Sequence, residues 1–164
     1  MTYKTSLDNL AKVVTIVISI LFAAIIVGQI SFIKDEGKFS PIFITILLMI
    51  IYFGTFSFRP ICYKLTDDKL IIHRPLSDIK IIRAEIEKVE QLDNEKLSWA
   101  FRVFGVGGLF GYWGKFSNTK LGSMTWYATR RNNAVLITTI YNKKIILTPN
   151  EPEKFVIEFN GQTI

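Results

Sequence analysis

"RVFGVGGLFGYWGKF", residues Arg102 to Phe116, holds five glycines and five aromatic rings in fifteen positions. Its composition suits a phosphate-cradling loop, but its spacing does not. A dinucleotide fingerprint needs G-x-G-x-x-G opening a helix after a strand; here Gly105 and Gly107 are followed three residues on by Phe110. A Walker A loop needs Ser or Thr after its Gly-Lys pair, whereas Gly114-Lys115 runs into Phe116 and the fifth residue before Gly114 is Leu109. Tyr112, Trp113 and Phe116 also favour extended backbone rather than a helix. The stretch therefore reads as a long hairpin or bulge. Gly105, Gly107 and Gly108 are expected to take positive φ or to allow close backbone approach, with Gly111 and Gly114 in the same structural role. Strand neighbours alternate faces, so Phe104, Leu109, Phe110, Tyr112 and Trp113 cannot all enter one small core. The exposed ones among these five are the candidate interaction residues, for a membrane interface or a partner. The competing expectation is that the rings cover the open edge of their own sheet or pack on a neighbouring copy's.

Upstream, hydrophobic residues dominate. They make up 49% of the chain and mean hydropathy is +0.30, and the excess is concentrated in two runs. Val13 to Ile33 is 21 residues without a charge and Phe39 to Phe58 is 20 more, separated by Lys34, Asp35, Glu36, Gly37 and Lys38. A bilayer core of about 30 Å needs about 20 apolar residues at 1.5 Å rise each. The pattern predicts a transmembrane helical hairpin within residues 1–60, with spans at about 13–33 and 39–58 and a small polar turn. A signal peptide has a shorter apolar core and a small-x-small cleavage site, which "VGQISF" does not offer. Lys4, Lys12, Arg59, Lys64 and Lys69 flank the outer ends against Lys34 and Lys38 in the turn. By the positive-inside rule both termini are expected in the cytoplasm, making this a multi-pass inner-membrane protein. Lone Cys62 allows no intramolecular disulfide and fits a reducing compartment. Ala24 and Gly28 are spaced as small-xxx-small, which permits close approach of a second helix and motivates a homo-oligomer.

After Arg59-Pro60 the pattern shifts to short β-like runs. "ICYKL" and "LIIH" flank the turn Thr66-Asp67-Asp68-Lys69, and Arg74-Pro75 with Ser77-Asp78 marks a second turn before "IKII" and "IEKVEQL". "MTWYAT" and "AVLITTIY" read as a hairpin with Arg130-Arg131-Asn132-Asn133 at its tip, and Asn142-Lys143 reverses the chain into "KIIL". Six or seven strands at this spacing argue a β-sandwich or barrel. Two overlapping capping boxes, Thr148-Pro149-Asn150-Glu151 and Asn150-Glu151-Pro152-Glu153, predict a helix to about Asn160. Phe155 and Phe159 share one face of it and can plug a sheet opening. About seven strands closed by a C-terminal helix is the pleckstrin-homology (PH) architecture.

The residues also resemble a known family. The pattern Arg102-x-Phe104-Gly105-x-Gly107-Gly108-x-x-Gly111-Tyr112-x-Gly114-x-Phe116 is similar to the signature of a bacterial PH-domain family. Tyr127-Ala128-Thr129, Val135-Leu136-Ile137, and Pro149 with Pro152-Glu153-x-Phe155 continue it, so that the resemblance covers about Cys62 to Asn160. It implies a PH-like β-fold over residues 61–164, held at a membrane, since members resembling this chain often carry two transmembrane helices first. It does not imply phosphoinositide binding. Eukaryotic PH domains place cations near the first hairpin, which makes Lys64, Lys69 and Arg74 candidate lipid head-group residues here.

Catalytic chemistry finds little support. His73 is the only histidine and Cys62 the only cysteine, so zinc-ligand spacing is absent. A Cys62–His73 dyad has no evident orienting acid. Glu85, Glu87 and Glu90 stand beside Lys80, Arg83 and Lys88 and read as a solvated strand face. From Arg59 onward there are 16 basic and 11 acidic residues, yet no run of consecutive cations marks a lipid-specific patch. The expected protein is non-enzymatic and cofactor-free, a membrane-anchored interaction or assembly module with cell-envelope maintenance as a candidate process. Membrane lipids and a protein partner or second copy are its expected contacts, and nucleic acid is not. The alternative is a module that recognises anionic lipid head groups.

Overall fold

The computed structural model describes residues 1–36 and 40–161. Strand β1 (Thr2–Lys4) precedes two helices, α1 (Asn9–Glu36) and α2 (Ser40–Ser57). Asp8 starts α1 by accepting the Ala11 N–H at 2.7 Å, the bond an N-cap makes to an otherwise unpaired donor. The helices run antiparallel, because Ser19 meets the Tyr52 hydroxyl at 2.8 Å and the Thr45 hydroxyl donates to the Gln29 side-chain carbonyl. Such bonds hold helices together where apolar contact alone offers no preference. Of the expected polar turn, Lys34, Asp35 and Glu36 continue α1, and Gly37 and Lys38 lie outside the described residues. Asn9–Gln29 is long and apolar enough to cross a bilayer, whereas the second apolar helix, Ile42–Ser57, is shorter than the expected span at 39–58. Ala24 and Gly28 are exposed, on the side of α1 turned away from α2.

The rest is mainly β, in two sheets stacked like a sandwich. The first has the order β1-β2-β3-β4, with β2 (Cys62–Leu65), β3 (Lys69–His73) and β4 (Ile79–Ile82) joined by both expected turns. The second has the order β5-β9-β10-β8-β7-β6. Its strands are β5 (Ile86–Leu92), β6 (Phe101–Gly108), β7 (Gly111–Asn118), β8 (Gly122–Ala128), β9 (Ala134–Thr139) and β10 (Lys144–Leu147). A short helix α3 (Asn94–Leu97) follows β5, and α4 (Pro152–Gly161) closes the fold with Pro152 in its first turn. Phe155 and Phe159 are buried, as their spacing requires.

Ten strands stand among the described residues, against the expected seven or so. β1 is too short to carry a periodic signal, and it pairs antiparallel with β2 (Tyr3 opposite Tyr63) from the far side of the helices. β8 and β9 are not a hairpin. β10 lies between them, antiparallel to β9 and parallel to β8. The imperfect alternation of "IEKVEQL" is a register shift between Ile86 and Lys88.

The second sheet buries both faces. On one, Val89, Val135, Ile137 and Leu147 meet Tyr63, Leu65, Leu70 and Ile72 of the first sheet and the two phenylalanines of α4. On the other, Tyr112, Phe116, Trp126 and Ile146 meet Leu97 of α3 and Ala11 of α1. Tyr63 ties the sheets: its hydroxyl donates to the Tyr127 carbonyl at 2.6 Å and accepts the Thr148 N–H at 3.1 Å. Burial pushes its pKa from 10.0 up to about 12. Because the folded pKa lies above the unfolded one, this stabilisation is complete below about pH 10 and is lost as pH rises toward 12. Unfolding free energy is expected to fall by about 2 kcal/mol across that window from Tyr63. Denaturant titrations should show a smaller fall in Tyr63→Phe; an unchanged one would assign the slope to other groups such as Tyr3, which burial and Glu158 also push up to about 12.

Candidate interaction surface

β6 and β7 form the hairpin that the glycine-aromatic stretch predicts, with Gly105 opposite Gly114 and Gly108 opposite Gly111. Gly105, Gly108, Gly111 and Gly114 all have positive φ. Gly107 does not, which corrects the expectation for that residue. The Arg102 side chain lies across it, its Cδ 3.7 Å from where a Gly107 Cβ would stand.

The hairpin tip is not free. It rests on the helices just where they leave the domain. Phe110, at φ 58°, donates its N–H to the Thr15 hydroxyl at 2.9 Å and sets its ring edge-on to Tyr52 and Phe56, at 5.0 and 5.4 Å. Tyr112 is buried and donates its hydroxyl to Asp8, the residue that caps α1, at 3.1 Å. Burial, then the Asp8 charge, raise its pKa, so it remains a neutral donor. Asp8 also accepts the Arg131 N–H at 3.2 Å.

The five candidate interaction residues therefore divide. Leu109, Phe110 and Tyr112 are buried and Trp113 is half-buried against Phe58, which removes the exposure that recognition through them would need. Only Phe104 is open, at 73%. It belongs to an apolar strip the sequence reading did not single out: Trp99 (91% exposed), Phe101 and Val103 lie beside it on β6 or just before it. β6 is the last strand of its sheet, with one edge unpaired among the described residues. A register shift between Arg102 and Phe104 bends it there. An exposed edge with large apolar side chains is a ready template for another chain.

The three head-group candidates do not converge. Lys69 pairs with Asp68 at 3.2 Å, and Arg74 donates to the Ser77 carbonyl and hydroxyl at 2.8 and 3.0 Å. Five residues of extended chain, about 16 Å, separate these two. Lys64 stands on the outer face of β2, in one row with Thr2, Ile71 and Lys80.

Cys62 and His73 do meet, as cross-strand neighbours, and an acid is present after all: His73 Nδ1 lies 2.6 Å from Asp78. The composition is that of a nucleophilic triad, but the chemistry is not. Burial and the Asp78 charge push the Cys62 thiol up, away from the thiolate, and His73 makes no hydrogen bond to it. Among the described residues no His, Cys, Asp and Glu group has a metal-holding arrangement.

The model of the bacterial PH domain family matches residues 61–163, more than half of the chain. The chain belongs to that family. No curated protein and no solved structure matches it. The bacterial PH domain therefore comprises both sheets and α4, apart from β1, which the chain supplies from before the helices. Domains of this kind generally bind lipids or proteins and are generally not enzymes.

Proposed function

We propose that this bacterial PH-domain protein is a non-enzymatic integral membrane protein, with α1 and α2 as its anchor and the PH domain as a cytoplasmic interaction or assembly module. The carrying observation is the uncovered apolar surface of the hairpin. Val13, Ile16, Val17, Ile20 and Leu21 on α1, and Phe43, Leu47, Ile50 and Phe53 on α2, are all exposed. So much apolar surface in water is costly at about 25 cal/mol per Å², and a bilayer removes that cost. A core helix of a soluble protein would be covered, yet only 6% of the α1 span is. A cleaved leader would carry off β1, which is paired with β2.

The same pairing supports the topology, since the chain leaves and re-enters the domain at one place. Ser57 accepts a hydrogen bond from Leu76 N–H at 3.1 Å, which keeps the end of α2 beside the first sheet. With the Lys and Arg bias, this favours both ends in the cytoplasm. A cysteine at Gly37 should react with an impermeant maleimide from outside intact cells, and one at Gly161 only after permeabilisation. The reverse pattern would refute the orientation. The exposed Trp99–Phe104 strip is the surface this reading offers to a protein partner or a second copy.

A further inference from the structure

A cavity of about 290 Å³ opens on the side of the domain where α1 begins, lined among others by Leu10, Phe101, Arg102, Tyr112, Phe116 and Arg131. Two guanidinium groups share it with apolar walls. Among the described residues Arg102 makes no ion pair, its stem lying over Gly107 next to Gly108, where a Cβ would come within 3.3 Å of Val14. Arg131 donates to the Ala100 carbonyl at 2.6 Å and covers the Tyr112 ring, again without a carboxylate on its guanidinium. The acid nearby, Asp8, keeps its charge, but its oxygens are turned to the Ala11 and Arg131 backbone N–H groups and the Tyr112 hydroxyl rather than to either guanidinium. Leu10 is the second residue of the candidate membrane span and continues outward into Val13 and Val17, which are exposed on the same helix face. A cationic pocket is thus joined to an apolar track that starts at the domain end of the candidate span.

Resting on the anchor reading above, we propose that this cavity holds the head-group phosphate of an anionic phospholipid of the same leaflet. Its acyl chains run down Leu10, Val13 and Val17, and Arg102 and Arg131 supply the charge. This is a different place from the Lys64, Lys69 and Arg74 hairpin, and chemically a better one. Its cations line one cavity and have no carboxylate partner among the described residues, and guanidinium forks match phosphate geometry. Exposed Trp99, at φ 60° on the rim of the adjoining cavity, gives a spectroscopic reporter.

The test uses the full chain in liposomes. Flotation first establishes that it inserts. Trp99 quenching, taken as the difference from Trp99→Phe, is then compared for brominated phosphatidylglycerol and brominated phosphatidylcholine at equal mole fraction. Phosphatidylglycerol should be enriched at the site, and each of Arg102→Gln and Arg131→Gln should lower that preference about fivefold. Lys64→Gln with Lys69→Gln should leave it unchanged. Arg102→Gln removes no hydrogen bond, so its loss of preference cannot be ascribed to misfolding, which near-UV circular dichroism checks. Equal quenching by the two lipids in a chain that floats would overturn the site alone; a chain that does not float would overturn the anchor as well. Displacement by millimolar inorganic phosphate would assign the pocket to a soluble anion and also overturn the proposal.

Discussion

Gly105→Ala and Gly114→Ala are each expected to cost ~4 kcal/mol or more, enough to unfold a domain of ordinary stability. The two residues face each other across the β6–β7 ladder, at φ 110° and 120°. A Cβ on Gly105 would stand 2.2 Å from the Trp113 carbonyl oxygen, and one on Gly114 would stand 2.3 Å from that of Phe104. Both clashes are with backbone, so no side chain can rotate out of the way. The strands would have to part, and with them the hairpin that carries Tyr112 and Phe116 into the core. Gly107→Ala is the control. Its Cβ would meet nothing nearer than the flexible Arg102 stem at 3.7 Å, and the expected change is within about 0.5 kcal/mol. Denaturant unfolding of the full chain in detergent measures all three. Equal losses at Gly105 and Gly107 would remove the steric account.

Phe110→Ser should cost about 3 kcal/mol, in the range of large aromatic truncations. Phe110 accepts a left-handed backbone that a bulky residue avoids, and its ring contacts with Tyr52 and Phe56 repay the strain. Arg59 adds its charge over the Phe56 ring at 4.4 Å. Truncation removes the wedge between domain and helices while leaving the strain in place. Phe104→Ser on the neighbouring strand is exposed and should change stability by less than about 0.5 kcal/mol. The contrast between the two substitutions, read by thermal unfolding in nanodiscs, decides whether the tip is docked. Similar, small effects would mean that the domain hangs free of its helices.

How far the fold could be read from sequence follows from how local its signals are. α1, α2 and α4 announce themselves by composition, capping and spacing, and the β2–β3 and β9–β10 hairpins by turn residues between apolar runs. The polar tip Arg130–Asn133 has the same local look, yet the neighbours of β8 are β7 and β10, the latter brought in from beyond β9. No short-range pattern carries that information. The burial of most of the candidate rings was illegible for a different reason. Counting faces for a single core left spare aromatics to be exposed, but the second sheet has a core on each side and the helices add a third wall. Phe110 and Tyr112 fill that extra space. The strip that is exposed, Trp99 to Phe104, lies partly upstream of the glycine-rich window, where nothing in the spacing drew notice.

The β1–β2 pairing has a consequence for biosynthesis. Tyr3 leaves the ribosome sixty residues before Tyr63, the residue it sits opposite. In between, the chain makes its whole apolar hairpin, so the first sheet is completed only once both helices have been made and their ends brought together. Under the proposed anchor, insertion of the helices would come before the domain is finished. Translation from an internal start after α2 would yield a sheet with an open edge and, lacking Leu7 and Ala11, a thinner core beneath Tyr112.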